Sequence, residues 1–379
     1  MPGRVALDSA APKVDSFSVR YAIVLFVGAC GWSPNLGGSD AGDAPRPIDA
    51  VDAAPGFRKK VTLTVGSPSQ LVDFPVSIVA QDADLAARAR ADGSDIGMTL
   101  VDGTPLSREI VAFDKPSGAL EAWVRIPAVS DTLDIYVTYG GGTATAGTTW
   151  SSAIYAAAWH LSEATGAWTD TAAGHTVAPA TPMTTAQPAA GIIGNARSFD
   201  GVDDTSPGAD PPDGSLDFGL QSFSVSVWVN VTSSVNGYDM VLDHGGDTAL
   251  AGYCFTLGTA NWYVEEGDVT AYTAARFGGE TEMLGHWNHL VAVTDRATNQ
   301  LHAYANGVLA NSVSIATMGS VDTAYGFAIG SATAGYHFKG LADEVRVIKT
   351  ALSADWIAAE YRNATARAAF VHWASEELY

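Results

Sequence analysis

Residues 198–204 read Ser-Phe-Asp-Gly-Val-Asp-Asp. Asp200, Asp203 and Asp204 put three carboxylates in one short stretch. That is raw material for a hard cation, since calcium takes about six to eight oxygen ligands. The plainer reading is a turn, because Asp supports a bend and the following glycine supplies positive φ. A second acidic cluster is Glu265-Glu266-Gly267-Asp268. Glycoside hydrolysis needs two carboxylates flanking a bond, roughly 5–5.5 Å apart for retention or 6.5–9.5 Å for inversion. The glycine in this cluster suggests a turn, and no Glu-x-Asp-x-Glu strand pattern occurs, so no catalytic residue is assigned. His286 and His289 lie three apart, which on a strand sends them to opposite faces, and they are not read as metal ligands. Cys254, between Tyr253 and Phe255, reads as a buried thiol.

These residues sit in a chain of 379 residues with a net charge of −21. That charge argues against nucleic acid and against electrostatic binding to anionic lipid, both of which require basic patches. The length suggests two domains. Hydrophobic residues make up 47% of the chain, enough for real cores, and 39 glycines fit many turns between strands. Two cysteines, Cys30 and Cys254, are too few for a disulfide framework or a four-cysteine zinc site.

Residues 21–29, "YAIVLFVGA", are an apolar run after Arg20, too short to span a bilayer but suited to a signal peptide. The run ends in "VGAC", which resembles a bacterial lipobox and implies lipidation at Cys30. Residues 1–30 are therefore expected as a signal peptide with lipobox. Residues 31–56, rich in Asp, Ala and Pro, cannot bury a core and are expected as an extended tether.

Residues 57–145 alternate as half-buried strands do: Val61, Leu63 and Val65 oppose Lys60, Thr62 and Thr64, and similar patterns recur in "DFPVSIVA", "LEAWVRIP" and "LDIYVTYG". A small β-sandwich is expected. The order of these pieces, with "DGSDI" (92–96) and "DGTPL" following, resembles the bacterial family called domain of unknown function 2341. The resemblance implies an accessory or binding role and no chemistry. Asp92, Asp95 and Asp102 read as turn residues.

Residues 155–365 contain many short strands: "SFSVSVWVNV", "YDMVLDHG", "GYCFTLG", "NWYVEEG", "WNHLVAVTD", "LHAYANGVLA" and "FKGLADEVRVIKT". One helix is expected in "LSADWIAAEYRNA", with Ser353 as N-cap. "SFDGVDD", "SFSVSVWV", "HWNHLVAV", "LHAYANGVL" and "FKGLADEVRVIKTALS" occur in the order of the LamG-like jelly roll, and the segment resembles that branch of the concanavalin A-like lectin/glucanase fold. The resemblance implies one structural calcium, for which Asp200, Asp203, Asp343 and Glu344 are the candidate ligands. The plainer alternative makes Asp200-Gly201 a turn and Glu344–Arg346 a surface ion pair. It also implies a carbohydrate site of aromatic and polar side chains, with Trp228, Trp262, Tyr263 and Tyr272 as candidates. The plainer alternative has Trp228 packing under a flanking segment and the others covering edges.

The expectation is an all-β protein of two β-sandwich domains, the C-terminal one a concanavalin A-like jelly roll with a short C-terminal helix, and residues 366–379 as a tail. Its expected function is non-catalytic, surface-anchored binding of a polysaccharide or glycan, in contact with the membrane through a lipid anchor only and with no nucleic acid partner. A divergent glycoside hydrolase or lyase, or a structural protein–protein module, is the alternative. The expected location is the bacterial outer membrane or cell surface, lipid-anchored, and secretion is the alternative.

Overall fold

The computed structural model describes residues 56–163, 166–179, 188–234, 237–245, 251–331 and 336–379. The expected signal peptide, Cys30 and the tether lie outside the described residues. The chain divides into two units, Met1–Asp49 and Ala50–Tyr379, and only the second holds described residues.

The first sandwich is built from β1 (Phe57–Thr64), β2 (Leu71–Gln81), α1 (Ala83–Arg88), β3 (Gly97–Leu100), β4 (Arg108–Asp114), β5 (Ala119–Val129) and β6 (Thr132–Tyr139). The alternation in β1 holds, with Val61 and Leu63 wholly buried. Strands β2, β5 and β4 form one sheet in the order β2-β5-β4.

The second sandwich begins with β7 (Tyr155–Trp159), β8 (Trp168–Thr169), β9 (Thr176–Val177), β10 (Pro188–Ala190) and β11 (Asn195–Asp200). It continues with β12 (Phe223–Val231), β13 (Tyr238–Gly245), β14 (Ala251–Gly258), β15 (Asn261–Asp268), β16 (Tyr272–Gly279) and α2 (Glu280–Met283). Then come β17 (Trp287–Asp295), β18 (Gln300–Ala305), β19 (Val308–Ser314), β20 (Ala328–Ile329), β21 (Lys339–Ile348) and α3 (Ala354–Thr365). Its main sheets run β10-β11-β21-β12-β17-β18-β19, with β7 also on β21, and β16-β15-β14-β13-β20. Their inward faces share one apolar core that includes Phe223, Val227, Phe255, Trp262 and Val345.

The chain then returns to its first sandwich. Residues 366–379, expected as a tail, form α4 (Arg367–Phe370) and β22 (Val371–Leu378). Strand β22 pairs antiparallel with β1 and completes the sheet β22-β1-β6-β3. Its polar residues contribute, since Glu377 pairs with Arg58 and Glu376 with Arg88. This covers what would otherwise be an open strand edge.

Helix α3 joins the two sandwiches. Ser353 caps it by accepting from the Trp356 N–H, as expected. On one side Trp356 meets Phe74 of β2 edge-on at 5.0 Å, and Asn363 Oδ1 accepts from both the N–H (2.8 Å) and the hydroxyl (2.9 Å) of Ser77. On the other side Tyr361 stacks on Trp228 at 5.7 Å, and Trp228 stacks on His289 at 4.7 Å.

A charged network fills the rest of this seam. Between β12 and β21 the register shifts from Ser226↔Arg346 to Trp228↔Asp343, so Glu344 and Val345 face a single residue. This is a β-bulge, and its left-handed residue is Glu344, at φ 49°. The extra residue shifts the strand's phase. Ala342, Val345 and Val347 enter the core while Asp343, Glu344 and Arg346 all turn to the seam. Arg346 Nη2 donates to Glu344 Oε2 (2.9 Å) and Nη1 to Glu360 Oε1 of α3 (2.5 Å). The guanidinium lies 4.4 Å from the ring centroid of Trp123 in β5 and 4.8 Å from that of Trp150. His160 Nδ1 faces Glu344 at 2.9 Å and its Nε2 faces Glu109 of β4 at 3.3 Å.

Two of the shifted groups in the seam, His160 and Glu121, set pH windows for stability. Burial alone would lower His160, but Glu344 and Glu109 outweigh it and push the imidazole up to about 10. Burial and the Glu344 charge push Glu121 up to about 7. In both cases the folded state holds the proton more tightly than the unfolded chain does. Stability from His160 is therefore complete below its ordinary value near 6.5 and is lost as pH rises to about 10. Stability from neutral Glu121 is lost between its ordinary value near 4.5 and about 7. Urea unfolding at a series of pH values should show stability falling through both windows, each group adding at most about 1.4 kcal/mol per pH unit. His160→Gln should flatten the upper window, and Glu121→Gln should reduce the slope of the lower one, to which the equally raised Glu266 also contributes. A wild-type profile that is flat or rising from pH 7 to 10 would show that the imidazolium does not hold the seam.

Candidate functional site

The structure separates the residues that the sequence grouped. Trp228 shares a sheet face with Ser224 and Ser226, as expected, but that face is not open. It lies beneath α3 and residues 350–352, where Ser224 Oγ donates to the Thr350 carbonyl and accepts from the Leu352 N–H. Trp228 is 3% exposed and stacked with both His289 and Tyr361, so it presents no open face to a sugar. Trp262 is wholly buried because it points into the jelly-roll core. Neither tryptophan can be a binding platform. Tyr263 and Tyr272 remain: Tyr263 is half-buried on the outer face of β15, and Tyr272 is exposed at the start of edge strand β16.

The expected metal constellation also splits. Asp200 lies opposite Lys339, while Asp343 is four residues further along β21. Asp343 is buried, its Oδ2 accepts from the Ile193 N–H, and burial and Glu344 push its carboxyl well above the usual range. Glu344 is fully engaged by His160 and Arg346. The Glu344–Arg346 pair exists, but in the buried seam rather than at the surface. What does converge is Asp200, Asp203 and Asp204, with one oxygen from each within 4.8 Å of the others. Asp200 Oδ1 accepts from the Val202 N–H, so the same residues also make the expected turn. A trio not singled out from the sequence, Asp210, Asp217 and His244, is equally close, and burial lowers the His244 imidazole. His289 is buried and stacked, with burial lowering it to about 3, while His286 is exposed.

Glu265 and Glu266 lie within strand β15 rather than in a turn, and they face opposite ways. Glu266 points inward and accepts from Thr294 of the opposing sheet, and burial pushes it up to about 7. Glu265 points outward. Strand pairing aligns it with Cys254 and Asp243 in one row across β13, β14 and β15, and aligns Tyr263 with Thr256 and Arg276 in the next row. Thr256 Oγ1 donates to Glu265 Oε2 at 3.0 Å, and burial beside Glu265 pushes the Cys254 thiol well up. These rows face away from the core, yet Cys254, Thr256, Glu265 and Asp243 are all under 10% exposed. Tyr263 and Arg276 are the members that reach solvent. The signal for these rows was in the sequence: "CFT" and "YVE" each flank one inward aromatic or aliphatic residue, Phe255 or Val264, with outward groups.

Solved structures with a related outline include the binding domain of Paraclostridial Mosquitocidal Protein 1, at 11% identity and TM-score 0.48, covering 56% of this chain and 52% of that one. The botulinum neurotoxin serotype D binding domain matches at 13% identity and TM-score 0.43, over 56% and 52% of the two chains. The serotype D ligand binding domain in complex with N-acetylneuraminic acid matches at 13% and 0.44, over 55% and 50%. The chain thus spans about half the length of these structures, and at TM-scores below 0.5 they support no inference about ligand. No curated protein matches the sequence. Residues 203–358 match the family model of the concanavalin A-like lectin/glucanases superfamily, which together with the facing sheets identifies the second sandwich as a concanavalin A-like jelly roll with a short C-terminal helix.

Proposed function

We propose that the protein is a non-catalytic, surface-anchored module that binds a polysaccharide or surface glycan through the outer face of the sheet β16-β15-β14-β13-β20. The observation that carries this reading is the pair of polar rows there, with the Tyr263 ring and the Arg276 guanidinium at the solvent edge over Thr256 and Glu265. An aromatic ring beside hydrogen-bonding side chains suits a sugar, which offers apolar C–H faces and a rim of hydroxyls. The first sandwich is proposed as an accessory domain, in keeping with its resemblance to the domain of unknown function described above.

One observation favours the hydrolytic alternative. Asp243 and Glu265 flank Cys254 in a single row, two strand spacings or about 10 Å apart along the sheet. Side chains leaning together from that distance approach the roughly 6.5–9.5 Å of an inverting pair. Against it, Glu265 is held by Thr256 on its own sheet. A glycan panel incubated with the full chain separates the readings. Retention without new reducing ends, weakened about tenfold or more by Tyr263→Ala, is the expected result. Reducing ends that vanish in Glu265→Gln would make the protein a hydrolase, and no retention at all would leave a protein–protein module.

The structural calcium is proposed at the 200–204 turn, with Asp200, Asp203 and Asp204 as its carboxylate ligands. A ligand that binds only the folded state raises its stability. Millimolar calcium should therefore raise the melting midpoint above that in chelator, and Asp203→Asn should remove the difference. Equal midpoints for the wild type would eliminate the ion.

The anchor is proposed at Cys30, through a lipid attached after signal cleavage. Protein expressed with its leader should enter the detergent phase and Cys30→Ala protein should stay aqueous. Aqueous partitioning of the wild type would rule out the lipid.

A further inference from the structure

A cavity of about 360 Å3 lies at the seam, between β4, residues 146–150 and Thr171 of the second sandwich. That is near the small end of the roughly 300–1,000 Å3 typical of small-molecule sites. Two polar side chains in its wall are more than nine-tenths buried, and each has an atom that meets no partner. Arg108 is 7% exposed, and its Nε has no hydrogen-bond acceptor. Thr149 is 4% exposed, and its Oγ1 is likewise unpaired. Buried polar groups in folded proteins are usually satisfied, and both of these unpaired atoms belong to residues that line one cavity.

A shortage of carboxylates does not account for them, because the chain has 41 acidic residues against 20 basic. The acids near Arg108 are committed elsewhere. Asp95, whose charge acts on Arg108, accepts from the backbone N–H groups of Arg90 (2.9 Å) and Gly140 (2.7 Å). Glu109 lines the same cavity, but its Oε2 accepts from Trp150 Nε1 and faces the His160 imidazole. Its charge is answered by the proton that His160 holds. Arg108 is thus a cation at a small cavity, with neighbouring anions turned to other partners.

The wall is built tightly enough to hold this arrangement. The Arg108 N–H donates to the Ala146 carbonyl at 2.7 Å. Gly147 sits at φ +71°, where an added Cβ would lie 2.6 Å from Ser107 Oγ. The segment 146–150 therefore lies against the start of β4, and Thr149 and Trp150 line the same cavity as Arg108.

We propose that this cavity is a second binding site, for a small ligand carrying an oxyanion, in which Arg108 supplies the charge and Thr149 a hydroxyl hydrogen bond. A guanidinium suits a carboxylate or a phosphate, since its planar donors match either group. The site is separate from the outer face of the jelly roll and does not depend on glycan binding there.

The test is thermal unfolding and calorimetric titration of the full chain with sodium glucuronate, inorganic phosphate and glucose, at constant ionic strength set with chloride. Glucuronate or phosphate should raise the melting midpoint progressively with concentration, and whichever does so names the oxyanion. Glucose should not. Arg108→Gln should abolish the shift. Thr149→Val, which removes the hydroxyl and keeps the volume, should weaken the affinity about tenfold without lowering the midpoint of the ligand-free protein, and it decides the matter if Arg108→Gln fails to fold. Tyr263→Ala should leave the shift intact. No shift from either anion, an equal shift from glucose, or the same shift in Arg108→Gln or Thr149→Val as in the wild type would overturn the proposal.

Discussion

The contact on which the structure turns is the Arg346 guanidinium. It arises from the last long strand of the jelly roll, pairs with Glu344 of the same strand and Glu360 of α3, and lies over Trp123 of the first sandwich and Trp150 of the connecting segment. Four parts of the chain meet at one cation. A buried ion pair adds little net stability compared with apolar groups of the same shape, but removing one partner strands a charge at a cost of about 3–5 kcal/mol. The network is therefore better understood as fixing position. A guanidinium with carboxylates on two edges and rings beside it tolerates few other placements of α3. The helix in turn sets how β2 lies over β12. The strain of a left-handed Glu344 is part of that arrangement, since without the bulge Asp343 and Glu344 would face opposite ways.

This seam explains why sequence periodicity succeeded for the elements and failed for their surroundings. Val61 and Leu63 in β1, and Ser353 at the start of α3, behave as the pattern says because local chemistry decides them. The alternate face of β12 reads as polar from Ser224 and Ser226. It is nevertheless buried, because a helix that begins over 120 residues later closes over it. Polarity in a strand shows which groups tolerate water and cannot show what will cover them. Period-2 reading also assumes a constant phase, and the bulge at Glu344 breaks it. The bulge brings Asp343 onto the face that Glu344 and Arg346 share, and that pair read as a surface one only because a strand's pattern does not show what covers it. Strand β22 was missed for a related reason. "VHWASEEL" holds few aliphatic residues, and its place is secured by edge pairing to β1 and by Glu376 and Glu377 meeting arginines far away in sequence.

The candidate sites divide along the same line. The Asp200–Asp204 turn was legible because its residues are neighbours in the chain. Its supposed partners Asp343 and Glu344 were assigned through a resemblance, and the structure spends them on the seam. The tyrosines survive as candidates and the tryptophans do not. This follows from size: Trp228 and Trp262 are the larger apolar bodies, and the fold uses them to fill space between layers. Tyr263 keeps a polar end and sits at the margin of its sheet's outer rows.

Charge placement ties these observations together. With about two acids for every base, the chain carries an excess of negative charge. Some of the scarce cations lie inside: Arg346 and His160 in the seam and Arg108 at the cavity beside it, while the half-buried Arg367 of α4 acts on Asp343 and Glu121. A charge excess of this kind repels anionic partners in general. An anion that does bind must reach a place where a cation lies in a wall and its neighbouring carboxylates are already engaged. The same pairing that locks the two sandwiches together, by turning Glu109 toward His160 and Trp150, leaves Arg108 as such a place.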